Sequence, residues 1–218
     1  MQIEDEELQR VTATGGLRVG GSMGGSVMVD GVTQLGSNTV LPLVTVVALA
    51  DDAQALFSTA ASTFHTVAAQ ADNGVVLDVD VSTTVGSMYL DGDVENSSSA
   101  DGMNNVQIAD TVTVTGKTLM TLEATSGMIE AAGKLTLQSG TGIVILDHMN
   151  GAATAQPLVV HADFESAGDG VLTVWTGKTV TSNKSDVSIT AWDIDLDGSL
   201  TAGTCLLYTS DAADEVDS

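Results

Sequence analysis

Short strand-like runs closed by glycine turns recur along almost the whole chain, and their spacing limits the folds it can adopt. SVMVD (26–30), VVLDVDV (75–81), VTVTG (112–116), TLMTLEA (118–124) and KLTLQ (134–138) are examples, followed by GIVIL (142–146), PLVVHADF (157–164), VLTVW (171–175) and VSITAWDIDLDGSL (187–200). Each alternates or masses Val, Leu, Ile and Thr, the pattern of a half-buried or fully buried strand. Asp-Gly at 30, 91, 101, 169 and 197, and Asn-Gly at 73 and 150, mark the corners. Strand centres near Leu122, Ile129, Thr136 and Val144 fall seven or eight residues apart, and those near Val159, Thr173 and Ser188 about twice that.

Strands this short and regular suit a β-sandwich or a solenoid. Composition separates the two. Aromatic residues are 3% of the 218 residues although hydrophobic residues are 43%, so the interior must be filled by aliphatic side chains. A sandwich leans on aromatic anchors, whereas a coiled sheet stacks like on like in a narrow interior. The expected fold is all-β: a parallel β-helix (β-solenoid) of three short strands per coil, roughly 20 to 25 residues each, with about eight to ten coils and uncapped ends. At ~4.8 Å per coil this makes a rod roughly 40 to 50 Å long. The segment 53–70, AQALFSTAASTFHTVAAQ, departs from the pattern. Phe57, Ala60, Ala61, Phe64, Val67 and Ala68 fall at helical spacing, but crowded Ser and Thr favour an irregular coil over a surface helix.

Six basic residues against 29 acidic ones give a net charge of −23, which repels phosphate backbones and anionic lipid and argues against nucleic acid as a partner. The longest apolar run, VLPLVTVVALA (40–50), is about half the ~20 residues of a membrane helix and contains Pro42. MQIEDEELQR carries acids where a signal peptide carries bases. Cys205 is the only cysteine, which precludes an intrachain disulfide.

Candidate chemistry is sparse. Asp193, Asp195, Asp197 and Gly198 open like an EF-hand loop, but the twelfth position, which should be Glu, is Thr204. Ile194 and Leu196 alternate with the acids, so the favoured reading is a strand with an outward carboxylate row, leaving Asp193, Asp195 and Asp197 as weak surface calcium candidates. Asp78 and Asp80 in VLDVDV read the same way. Gly20-Gly21-Ser22-Met23-Gly24 matches the G-x-S-x-G nucleophile turn, but a strand-like VMV follows where a helix is required, so it reads as a glycine corner. His65, His148 and His161 lack zinc spacing. Asp51-Asp52 is a carboxylate pair, and Arg10, Arg18, Lys117, Lys134, Lys178 and Lys184 are the bases available to hold an anionic sugar. No catalytic residue is assigned. Asn96-Ser97-Ser98 and Asn183-Lys184-Ser185 are glycosylation sequons.

SDVSITAWDIDLDGSLTAGT (185–204), ESAGDGVLTVWTGKTVTSN (165–183) and EELQRVTATGGLRVGGSMGGSVMVDGVT (6–33) resemble the repeats of very large filamentous-haemagglutinin-like surface proteins. The resemblance covers nearly all of residues 1–204 and is one of rhythm and phrase. It implies a right-handed parallel β-helix, exposure at the cell surface or outside the cell, and a structural or adhesive role without catalysis. Residues 1–204 are then expected to be one solenoid fragment of a longer repeat protein, with Met1 an internal residue. CLLYTSDAADE (205–215) resembles the in-frame translation of a transposase sequencing adapter, so residues 205–218 are expected to be a non-native, disordered tail. The partners this implies are the neighbouring coils of the longer chain and a surface ligand, carbohydrate or protein. The alternatives are a carbohydrate-active β-helix enzyme, which needs a groove where several carboxylates and a base converge, and a calcium-stabilised binding module.

Overall fold

The structure, a computed structural model, describes residues 1–96, 102–152, 156–165, 168–203 and 206–210. These residues complete eight coils and begin a ninth. The first coil holds β1 (Gln2–Glu4), α1 (Asp5–Leu8) and β2 (Leu17–Gly21), and the second β3 (Val27–Asp30), α2 (Gln34–Ser37) and β4 (Val44–Ala48). From the third coil onward each coil has three strands. They are β5 (Ala55–Ser58), β6 (Ser62–Phe64) and β7 (Val67–Ala71), then β8 (Val75–Leu77), β9 (Val81–Thr83) and β10 (Met88–Asp91). The fifth and sixth coils comprise β11 (Val106–Ile108), β12 (Thr113–Gly116), β13 (Leu119–Glu123), β14 (Ile129–Ala131), β15 (Leu135–Ser139) and β16 (Gly142–Ile145). The remainder are β17 (Met149–Asn150), β18 (Leu158–His161), β19 (Val171–Val174), β20 (Thr179–Thr181), β21 (Val187–Ala191), β22 (Asp193–Leu196), β23 (Ser199–Thr201) and β24 (Leu206–Ser210).

Every strand pairs in parallel with its counterpart one coil away, giving sheets of nine, eight and seven strands. The nine-stranded sheet runs from β1 to β23, the eight-stranded one from β2 to β22, and the seven-stranded one from β6 to β24. The chain is therefore a parallel β-helix, as its strand spacing predicts. The register sets the coil length: Leu56 pairs with Val76 (76 − 56 = 20 residues), whereas Val76 pairs with Gln107 (107 − 76 = 31 residues). The extra residues of the longer coil enter at the corner between β10 and β11.

In-register pairing lines up inward side chains of similar type. Met88, Met120, Ile143, Leu172 and Ile194 succeed one another along the eight-stranded sheet. Leu90, Leu122, Ile145, Val174 and Leu196 form the adjacent row, and Val114, Leu137, Val160, Ile189 and Tyr208 one from the seven-stranded sheet. These rows merge into one buried core, except at the end of the rod, where Leu196 and Tyr208 are exposed. Most strands in the middle of the rod bury alternate residues, as in Leu135–Ser139, where Leu135, Leu137 and Ser139 point in.

In the first two coils short helices take the place of a seven-stranded-sheet strand. Glu7 accepts the Glu4 N–H at 3.2 Å to start α1, and Thr33 accepts the Gly36 N–H at 3.1 Å to start α2. Asp5 ties the two together, its Oδ1 accepting both the N–H and the hydroxyl of Thr33, at 2.7 and 2.8 Å. Gly36 makes that approach feasible, because a Cβ there would lie 2.0 Å from Asp5 Oδ1.

Three sequence expectations are corrected. The segment 53–70 is neither helix nor irregular coil but belongs to β5, β6 and β7, with Phe57 and Phe64 fully buried and edge-to-face at 6.3 Å. Corners at Thr59 and at His65–Thr66 reset the period-two alternation, which mimics helical spacing; coils on both sides supply the hydrogen bonds that override local propensity. VVLDVDV is not one strand, since Asp78–Asp80 forms the corner between β8 and β9. The tail expected to be disordered contributes β24, stacked on β21 from Leu206↔Val187 to Ser210↔Ala191. An open sheet edge is a template for any strand-forming pentapeptide, and LLYTS places Leu206 and Tyr208 inward. Cys205 and residues 211–218 lie outside the described residues.

Leu122 is fully buried in the fifth coil, so Leu122→Ala should destabilise the fold by about 2 to 5 kcal/mol. Thr121→Ala, on the outward face of the same strand, should stay within about 0.5 kcal/mol. Chemical denaturation followed by circular dichroism checks both.

Candidate functional site

Strands stop at each corner, so the corners expose backbone N–H groups that no ladder satisfies. Acidic side chains take up this role by reaching to an adjacent coil. Asp80 accepts the Thr113 N–H at 2.7 Å, Asp110 that of Lys134 at 2.8 Å, Asp72 that of Asp52 at 2.9 Å, and Asp93 that of Ser126 at 2.7 Å. Asp51 and Asp52 are thus an exposed turn, with Asp52 at φ 62°.

One corner goes further, where strands of the eight-stranded sheet run out toward the nine-stranded one. Asp91 pairs in register with Glu123, which places two carboxylates on successive coils. The Tyr89 hydroxyl sits between them, 2.6 Å from Glu123 Oε2 and 3.0 Å from Asp91 Oδ2. Burial pushes the Asp91 carboxyl up to about 6, helped by the charges of Glu123 and Asp93 and opposed by hydrogen bonds from the Asp93 N–H and Tyr89. Burial and the two carboxylates also push the Tyr89 phenol above its ordinary range, so it stays a protonated donor.

One coil on, Asp147 is buried. Its Oδ2 accepts the Ala124 N–H at 2.9 Å and its Oδ1 forms an ion pair with Lys178. Between these groups opens a cleft of about 440 Å³ lined by Glu123, Thr125, Leu146, Asp147, Trp175 and Lys178. Trp175 stands at its edge, 54% exposed. It begins a tight turn closed by the Lys178 N–H on the Trp175 carbonyl at 3.0 Å, with Gly177 at φ +76° supplying the left-handed residue.

The residues singled out from sequence lie elsewhere, apart from Lys178. Asp193 and Asp195 point outward from β22; Asp193 accepts the Ile194 N–H at 2.8 Å. Asp197 lies in the following corner, 3.4 Å from the Thr176 hydroxyl. Ile194 faces the interior; Leu196 does too but is 45% exposed because it lines the open end. Among the described residues no three metal-ligating side chains converge, so the three aspartates are not gathered into a calcium cage. Asp78 and Asp80 occupy a corner rather than an outward strand face. Gly20 and Gly21 end β2, and Ser22–Gly24 open the corner to β3, with Ser22 exposed and no helix following. His65 precedes β7, His148 precedes β17 and accepts the Thr179 N–H at 3.2 Å, and His161 closes β18 against the Phe164 ring. Asn183 is exposed at φ 51°, whereas the sequon that begins at Asn96 continues outside the described residues.

Glu123, Asp147 and Trp175 escaped sequence reading because they are far apart along the chain. A signal was present: one residue past the stacked row Leu90, Leu122, Ile145, Val174 and Leu196 come Asp91, Glu123, Leu146, Trp175 and Asp197. Aligning coils on the strand exposes that column. No family model, curated protein or solved structure matches the chain.

The folded state holds the Asp91 proton more tightly than the unfolded chain, whose ordinary value is 3.8. Stability contributed by this group is full below about pH 4 and falls as pH rises through about 6. Asp91→Asn keeps a carbonyl for the Asp93 N–H and gains a donor toward the Tyr89 hydroxyl, which stays free to donate to Glu123. Thermal melts between about pH 4 and 8 should show the variant with a flatter profile than the parent, and more stable at pH 7.

Proposed function

We propose that the chain is a structural and adhesive stalk segment of a large filamentous-haemagglutinin-like repeat protein, displayed at the cell surface or secreted. In this reading it extends and presents its outer faces to a ligand and turns nothing over. The observation that carries the proposal is the fold's openness along its axis. At the eighth and ninth coils, Ile194, Leu196, Leu200, Leu206 and Tyr208 are among the described residues that line an apolar chamber of about 170 Å³. Leu196, Leu206 and Tyr208 are 45%, 52% and 42% exposed there. Ile3, Leu8, Val11, Leu17 and Val19 line a recess at the opposite end. Both ends offer apolar side chains and strand edges, which suits a segment stacked between further coils.

The carbohydrate-active enzyme keeps one supporting observation, the convergence of Glu123 and Asp147 with Lys178. Asp147 is committed to Lys178 and a backbone N–H, and Glu123 to Tyr89. Asp91, whose carboxyl pKa is raised by burial, is 5% exposed, which is poor access for a general acid. The calcium-stabilised module rests on Asp193, Asp195 and Asp197 alone.

On this proposal the isolated chain associates end to end, and sedimentation velocity should show mass rising with concentration. Leu196→Lys, which sets a charge in the open chamber, should suppress it. A strictly monomeric parent at high concentration would count against the stalk. Millimolar calcium should leave the melting temperature unchanged; a clear rise would favour the calcium-stabilised module.

A further inference from the structure

We infer that the cleft between Glu123 and Trp175 is a binding subsite for a neutral glycan, an inference that deepens the adhesive reading by giving the stalk a ligand class and a place to hold it. The first ground is how the chain uses its aromatic residues. It has seven, and while Phe57 and Phe64 are buried, Phe164, Trp175, Trp192 and Tyr208 are all exposed. Tyr208 lines the open chamber, but Trp175 has no core to fill. An indole that is 54% exposed leaves a large apolar face in water beside a polar cleft.

The second ground is preorganisation. The turn carrying Trp175 is fixed to the neighbouring coils, its N–H donating to the Ile145 carbonyl at 3.0 Å. Gly198 of the following coil packs beneath it so closely that a Cβ there would lie 2.6 Å from the Trp175 carbonyl and 2.3 Å from that of Lys178. Across the cleft, Glu123 is oriented by Tyr89 at 2.6 Å, and Asp147 by the Ala124 N–H and Lys178. With buried Asp147 holding Lys178, an exposed indole beside the Glu123 carboxylate, the partly exposed Lys178 ammonium and the exposed Thr125 hydroxyl matches a sugar ring, with one C–H-rich face and a rim of hydroxyls. The cleft volume lies in the range of small-ligand sites.

The third ground sets the charge of the ligand. Two carboxylates against one ammonium line the cleft, on a chain of net charge −23, so uronates and sulfated sugars are repelled. A neutral oligosaccharide meets no such barrier.

The test uses the full chain carrying Trp192→Phe, which leaves Trp175 as the sole indole. Neutral oligosaccharides of glucose, mannose and galactose, and an oligogalacturonate as the acidic counterpart, are titrated while its fluorescence is followed, with calorimetry as an independent readout. The expected result is saturable binding of at least one neutral oligosaccharide at concentrations up to about 10 mM. In otherwise wild-type chain, Trp175→Ala should weaken it about tenfold or more by calorimetry, and Glu123→Gln several-fold. Trp192→Phe alone should leave it unchanged, and the oligogalacturonate should bind more weakly than the neutral sugars. Absence of binding by every neutral oligosaccharide, binding indifferent to Trp175→Ala, or preference for the acidic oligosaccharide would each overturn the subsite. Sedimentation of the same samples reads the stalk independently, since end-to-end association does not involve Trp175. Release of shortened sugars with Trp175-dependent binding would uphold the subsite and overturn the non-catalytic reading.

Discussion

The structure depends on parallel pairing in register between each coil and the next. Because a strand finds its hydrogen-bond partners in the coils above and below, no coil is satisfied alone, and like side chains must stack on like. This explains why an interior of Val, Leu, Ile, Ala and Met suffices. A narrow lumen whose rows repeat from coil to coil needs no large ring to fill it, and the two rings that are buried, Phe57 and Phe64, pack against each other.

The same constraint accounts for part of the acidity. Where strands end, the ladder ends, and backbone donors at the corners require acceptors from a neighbouring coil. Asp5, Asp72, Asp80, Asp93, Asp110 and Asp147 each provide one. Not all of the charge is solvated decoration. Part of it serves as the fastening between coils where main-chain bonds run out, and buried Asp147 additionally pairs with Lys178.

How much of this was legible depended on range. Strands such as β15 and β19 stood out because Leu135–Ser139 and Val171–Val174 alternate cleanly and abut turn residues. The three-strand coil followed from their spacing. Phe57 and Phe64 misled because two corners fall so close together that alternation was broken before it could register. Asp78 and Asp80 misled because a corner acceptor and an outward strand residue are both exposed acids. The cleft was hidden for another reason: Glu123, Asp147 and Trp175 become neighbours only once the register fixes which residue of one coil lies over which of the next. The strand formed by Leu206–Ser210 was set aside because CLLYTSDAADE resembles a translated adapter, whereas what matters to an open edge is backbone and β-propensity.

Parallel pairing also gives the molecule a mechanical direction. All three hydrogen-bond ladders run along the rod axis, so tension applied through the two ends bears on them lengthwise, not sideways. The terminal strands carry the load first, and a coil that peels away hands the full force to the one beneath it. Extension under load therefore proceeds one coil at a time, with each corner carboxylate letting go alongside the strand pair it fastens.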